Sequence, residues 1–178
     1  MKNLWKVVLL SVVVIILGLF ALGLGNDPRN IPSPLVGRPA SPFTAPALDE
    51  GPPITLESFR GRWVLVNFWG SWCGSCVREH AYLMELARMT AGRDDFIMIG
   101  VDFKDTREGA RQFLANLGDP GYRQVFDPEQ KVAIDWGVYG APETYLVDPA
   151  GIIRHKHVGP LYPGWFEQVA LPLMGKKP

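Results

Sequence analysis

The chain has 178 residues, with 18 basic against 18 acidic side chains and a formal net charge of zero. That balance argues against nucleic acid as a partner and against attraction to an anionic surface. With 47% hydrophobic and 11% aromatic residues the chain can bury a core, which excludes a disordered protein; its length suits one domain plus a short appendage.

Residues 7–24 are almost wholly apolar, broken only by Ser11, Gly18 and Gly23. Lys2 and Lys6 precede this run, and Asp27 and Arg29 follow it. About 17–25 apolar residues cross a bilayer as a helix, so residues 1–25 are expected to form a transmembrane signal-anchor. The positive-inside bias then puts the rest of the chain on the far side of the membrane. A cleaved signal peptide, with Ala21-Leu22-Gly23 as its small-x-small site, is the competing reading, and under either one the domain is exported. No cysteine lies near residue 20 to carry a lipid. Residues 26–39, with Pro28, Pro32, Pro34 and Pro39, read as an extended tether, and the folded domain is expected over 40–178.

Within that domain, residues 43–48 suit a short edge strand and 55–59 a turn or brief helix. Val64 to Trp69 is a continuous apolar, β-branched and aromatic run, the pattern of a buried central strand. A helix is expected from Val77 to about Met89, with Leu83 and Leu86 on its apolar face and Gly92 beyond its end. Phe96 to Val101 is a second buried strand, so the unit is βαβ with parallel pairing. Thr106 caps a further helix whose stripe is Ala110, Phe113, Leu114 and Leu117, stopped by Gly118. A short strand at Val125-Phe126 and a short helix over 130–136 follow. The runs 144–147 and 152–155 flank Asp148-Pro149-Ala150-Gly151 as a hairpin, and 165–173 closes the chain as a helix.

The only two cysteines are Cys73 and Cys76, at C-x-x-C spacing where the first long strand turns into its helix. The ring such a pair closes is very short and removes little unfolded-chain entropy, so a structural staple is a poor reading. Zinc needs two more ligands, and the histidines available are His80, His155 and His157, the last two expected on an exposed strand edge. Reversible thiol–disulfide chemistry suits the pair better. Cys73, at the helix N-terminus, meets free N–H groups and the positive end of the macrodipole, which stabilise a thiolate nucleophile. Cys76, one turn further in, is placed to resolve the mixed disulfide. A buried resolver needs a base. Glu79, at i+3 from Cys76 and heading an apolar stripe, is one candidate, and Glu143, directly after Pro142, is the other.

The order βαβ, helix, hairpin, helix, with W-C-x-x-C at the head of the first long helix, resembles a thioredoxin fold: a central mixed β-sheet flanked by helices. The resemblance covers roughly residues 40–175 and implies that Ala141-Pro142 is a cis-proline peptide facing the disulfide. Where thioredoxins proper carry an aspartate, six residues before the first cysteine, this chain has Asn67, which takes no proton. Peroxidase chemistry of the peroxiredoxin type is disfavoured, since Gly70 stands where that class has threonine. Gly137-Val138-Tyr139-Gly140-Ala141-Pro142-Glu143-Thr144 is similar to the G-V-x-G-x-P-E-T signature of the membrane-anchored thioredoxins of cytochrome c maturation, the CcmG/DsbE type. That resemblance implies a single-pass inner-membrane protein with its C-terminal domain in the periplasm, acting as a thiol:disulfide reductant. It implies apocytochrome c, at its C-x-x-C-H site, or a maturation thiol protein as substrate, and a membrane thiol-disulfide transporter as electron donor. Trp72, Tyr139, Ala141 and Pro142 are then the substrate-binding residues, with no cofactor and no metal. One departure is Gly74-Ser75, which replaces the proline-containing pair of that group and bears on the redox potential. A general periplasmic oxidase or isomerase, and a non-catalytic module that holds unfolded apocytochrome, are the alternatives.

Overall fold

A computed structural model describes the backbone of residues 4–23 and 33–175. The first stretch is a single helix, α1 (Leu4–Gly23). Among the described residues no helix is long and apolar enough to cross a membrane. The transmembrane helix expected over 1–25 is thus not shown, and residues 26–32 of the expected tether lie outside the described residues.

Residues 33–175 fold around a five-stranded sheet ordered β5-β4-β3-β6-β7. β3 (Trp63–Trp69), β4 (Phe96–Phe103) and β5 (Arg123–Asp127) are parallel. β6 (Glu143–Val147) and β7 (Ile153–Val158) run antiparallel to their neighbours. Parallel neighbours need crossovers. α2 (Gly74–Thr90) supplies the one from β3 to β4, and α3 (Arg107–Leu117) the one from β4 to β5. α4 (Lys131–Asp135) and a π turn (Phe166–Ala170) running into α5 (Leu171–Gly175) complete the domain. This is the thioredoxin-like α/β architecture expected from the sequence.

Side chains alternate across the sheet, so each central strand feeds two cores. Val64, Val66 and Phe68 face one way, with Ile99, Val101, Trp136 and Tyr145. Leu65 faces the other way, with Leu83, Leu86, Met98, Leu146 and Trp165. A third cluster forms at the ends of the strands from Leu48, Trp69, Ala110, Phe113, Leu114 and the two cysteines. β1 (Thr44–Ala45) is shorter than the strand expected over 43–48, because Pro42 and Pro46 bracket it and lack the N–H a ladder needs. It pairs with β2 (Ile54–Thr55) as a separate ribbon. Gly37 N–H donates to the Ile153 carbonyl at 2.8 Å and Ile153 N–H to the Arg38 carbonyl at 2.9 Å, so the end of the proline-rich stretch is sewn to β7.

One side chain defies the polar appearance of β7. Lys156 opposes Tyr145 in the ladder and is only 6% exposed in its side chain. Its Nζ lies 2.8 Å from Glu143 Oε2, donates to the Gly137 carbonyl at 3.0 Å, and stands 4.8 Å and 5.2 Å from the Tyr139 and Tyr145 ring centres. Removing one member of a buried ion pair strands the other charge, at a cost of about 3–5 kcal/mol, whereas replacing both is often close to neutral. Lys156→Met is therefore expected to lower unfolding free energy in urea titrations by about that amount. The double variant Lys156→Met/Glu143→Leu should lose much less, and equal losses would show that the pair is not coupled.

Candidate active site

β3 delivers the chain to Gly70, where the backbone turns sharply. A Cβ at Gly70 would lie 2.5 Å from Trp72 Nε1, so only glycine lets the indole fold back there. Trp72 Nε1–H then donates to the Phe103 carbonyl at 3.3 Å, and its ring meets Phe103 edge-on with 5.6 Å between centres. Ser71 is fixed by the loop after β4: Asp105 accepts from its N–H at 2.5 Å and from its hydroxyl at 2.9 Å. These two residues aim the segment that carries the first cysteine.

Cys73 and Cys76 are joined as a disulfide. The sequence placed the start of the helix at Val77, but α2 begins at Gly74, so Cys73 is itself the N-cap. Its Sγ accepts the Cys76 N–H at 3.1 Å, one of the orphan donors of the first turn. Once the disulfide opens, the same N–H and the helix dipole favour a thiolate on Cys73. The two residues are 4% and 2% exposed, so position on the helix separates them far more than accessibility. Trp72 beside them is half exposed.

Glu79 is fully buried beneath the disulfide. Its Oε1 accepts from Asn67 Nδ2 at 3.0 Å and its Oε2 from Leu161 N–H at 2.8 Å. Burial pushes its pKa up to about 7, against the opposing pull of the Leu161 and Asn67 hydrogen bonds. Asn67 thus has a positive role. It cannot ionise, but it orients the glutamate and also donates to Thr144 Oγ1 at 3.0 Å, tying β3, β6 and α2 together. Cys76, Glu79, Asn67, His80 and Tyr122 line one small cavity with room for about one water.

Glu143 is equally buried but lies elsewhere. Asn67 pairs with Thr144 and Phe68 with Glu143, so alternation puts Glu143 on the sheet face opposite Glu79. Besides Lys156, it accepts from Tyr139 N–H at 3.2 Å and Tyr145 O–H at 3.3 Å. Of the two candidate bases, Glu79 shares a cavity with Cys76, while Glu143 and Lys156 grip the loop that precedes Pro142. The Ala141-Pro142 peptide is cis. Ala141 packs against the cluster holding both cysteines, and Tyr139, 77% exposed, projects from the same loop. Ala141 is therefore packed at the disulfide, with Pro142 next to it in the chain and Trp72 directly preceding Cys73, while Tyr139 stands exposed on the loop.

Three participants were not foreseen. Lys156 sits between His155 and His157, which hide it among residues expected on an exposed edge. Those histidines are themselves half buried, His155 lying 5.9 Å from the Trp165 ring centre, and burial lowers both of their pKa values. Asp102 ends the apolar run of β4 with a fully buried carboxyl, and Asp105 holds Ser71. An aspartate inside a core strand was the one readable signal among them.

The arrangement suits reversible exchange between a dithiol and a disulfide, with a proton acceptor of neutral pKa at hand. A family model described as Redoxin matches residues 35–170. A thiol:disulfide interchange protein DsbE of Allochromatium vinosum is 48% identical over 153 residues, covering 85% of this chain and 82% of its own. The Escherichia coli DsbE is 38% identical over 154 residues, covering 85% and 80%. Among solved structures, a Chlorobium tepidum protein described as a thiol:disulfide interchange protein DsbE superposes with a TM-score of 0.70 at 26% identity, covering 79% of this chain and 98% of that one. The chain belongs to the redoxin family and, within it, to the DsbE (CcmG-type) thiol:disulfide interchange proteins, and its activity is that of a protein thiol:disulfide oxidoreductase.

Proposed function

We propose that the chain is an exported, membrane-anchored reductant of cytochrome c assembly, which reduces the C-x-x-C-H disulfide of apocytochrome c or the disulfide of a maturation thiol protein. The observation that carries this reading is the Gly137–Thr144 segment, held against the disulfide by its cis-proline end and clamped from behind by Glu143 and Lys156. The export anchor rests on the apolar run of residues 7–24 preceded by Lys2 and Lys6, which supports a domain on the periplasmic side of the inner membrane.

The Cys73 thiolate attacks one sulfur of the substrate disulfide, and the other leaves as a thiolate. Cys76 then gives its proton to Glu79, directly or through one water, and its sulfur attacks Cys73 Sγ. The substrate departs with both cysteines reduced, and the enzyme keeps the disulfide seen here. Two electrons from a membrane thiol-disulfide transporter restore the dithiol. The peptide backbone of the substrate lies along Ala141-Pro142, with Trp72 and Tyr139 as its apolar walls.

Cys76→Ser is expected to halt the cycle at the mixed disulfide on Cys73. Trapped material separated under non-reducing conditions should contain apocytochrome c or a maturation thiol protein, and capture of unrelated exported proteins alone would contradict the assignment. Glu79→Gln should slow resolution by about a hundredfold or more while leaving attack by Cys73 nearly unchanged. Equal slowing of both steps would remove Glu79 from the role of base. In the parent the resolution rate should rise with pH through about 7, because only the ionised carboxylate takes a proton, and that rise should vanish in the variant. The same carboxyl is protonated up to about 7 when folded but ionises near 4.5 when unfolded, so its stabilising contribution is complete below 4.5 and lost as pH rises through 7. Glu79→Gln should therefore lose less stability than the parent between pH 5 and 8.

A further inference from the structure

Asp102 is a buried acid that dithiol exchange does not use. It lies in β4, opposite Trp69 on β3 and Phe126 on β5, and is 0% exposed. Among the described residues neither of its carboxyl oxygens has a hydrogen-bond partner. The charged groups that face it are Asp105 from the loop after β4, Asp127 from β5 and Arg107 from α3. Arg107 is committed elsewhere: its guanidinium donates to the carbonyls of Ala47 and Leu48 and lies 4.4 Å from the Phe126 ring centre. Asp127 is committed as well, accepting from Ala133 N–H at 2.9 Å. Asp105 accepts from Ser71 N–H, Ser71 O–H and, at 2.7 Å, Thr106 N–H. Both Asp105 oxygens are thus taken up as acceptors.

An Asp102 without its proton, buried beside a carboxyl whose oxygens already act as acceptors, would leave two acceptors with no donor between them. A neutral Asp102 removes the conflict, because its O–H donates to Asp105 and so satisfies one of its own orphaned oxygens. We infer that Asp102 is kept as a neutral carboxylic acid that shares its proton with Asp105, and that this carboxyl–carboxylate pair is the positioning device that holds Ser71 and Trp72 in front of the disulfide. The rest of the local geometry converges on the same loop. Phe103, next to Asp102, accepts from the Trp72 indole, and Lys104 takes a left-handed backbone (φ 54°) where β4 gives way to the loop bearing Asp105. The segment 102–105 thus grips Ser71-Trp72 at two points, and the shared proton fixes the second. Such a device serves dithiol exchange whichever protein is the substrate.

Burial first, and the Asp105 charge second, push the Asp102 pKa up to about 9. The folded carboxyl thus keeps its proton where the unfolded one, with an ordinary value of 3.8, has lost it. Its stabilising contribution is complete below 3.8 and is lost as pH rises through about 9. Asp102→Asn keeps a donor toward Asp105 but has no proton to lose, whereas Asp102→Leu keeps the volume and removes the donor.

The test follows the Asp102 carboxyl carbon by NMR in the full chain and measures the rate at which reduced protein attacks a small aromatic disulfide. The inference expects a titration near pH 9, an Asn variant within about twofold of the parent at pH 7, and a Leu variant slower by about tenfold or more through misplacement of the Cys73 segment. It also expects the Asn variant to gain stability relative to the parent as pH rises from 4 toward 9. Titration in the ordinary carboxylate range, a Leu variant as fast as the parent, or an Asn variant as slow as Leu would each overturn it. If the Leu variant does not fold, the titration and the pH-dependent stability of the Asn variant decide alone.

Discussion

The site depends on a carboxyl buried beneath the disulfide. Glu79 enters from the second turn of α2 and is held by an amide from β3 and a backbone N–H from the segment before the closing helix. That arrangement serves two needs at once. The hydrogen bonds fasten the helix carrying both cysteines to the central strand, and the burial they enforce raises the affinity of the carboxyl for a proton, more than the bonds themselves lower it, to a pKa of about 7. A glutamate on the helix, paired with an asparagine on the strand, thus combines the proton acceptor and its anchor in one hydrogen bond.

The sheet divides the remaining work between its faces. Glu79, Asn67 and Thr144 lie on the face toward α2, and the first two line a cavity with Cys76. Glu143, Lys156 and Tyr145 lie on the other, where a buried ion pair grips the loop that ends in Pro142. At the edge of the same disulfide, Asp105 fixes Ser71 and the Phe103 carbonyl fixes Trp72. The dithiol is therefore approached by two rigidly held walls, one from the 70–72 turn and one from the 137–142 loop. Rigid walls of this kind lower the ordering cost of binding an extended peptide.

Much of this was legible in the chain itself. The apolar runs at 64–69 and 96–101 had to be buried parallel strands, and the cysteines between them had to stand at the head of a helix. The i+3 spacing placed Glu79 near Cys76 by helical geometry alone. Glu143 shows where such reasoning stops: adjacency to Pro142 along the chain says nothing about sheet face, and alternation turns its side chain away from Glu79. Lys156 was hidden because a lysine between histidines on an edge strand reads as solvated, and only the opposing Glu143 and Tyr145 make its burial favourable. The start of α2 was set three residues late because an N-cap cysteine carries no strong helix-starting preference, whereas here its sulfur does the capping.

What distinguishes a reductant from an oxidant on this scaffold is which form the surroundings stabilise. Here the Cys76 N–H faces the nucleophilic sulfur and a carboxyl of neutral pKa shares a cavity with the resolving cysteine, so the balance between the Cys73 thiolate and the closed disulfide is set within the first turn of α2. The most direct measurement is the equilibrium redox potential of the Cys73–Cys76 couple against a glutathione or dithiothreitol buffer at pH 7. The account predicts a reducing couple, below about −200 mV, and a value near about −120 mV, at the strongly oxidising end for this chemistry, would contradict it.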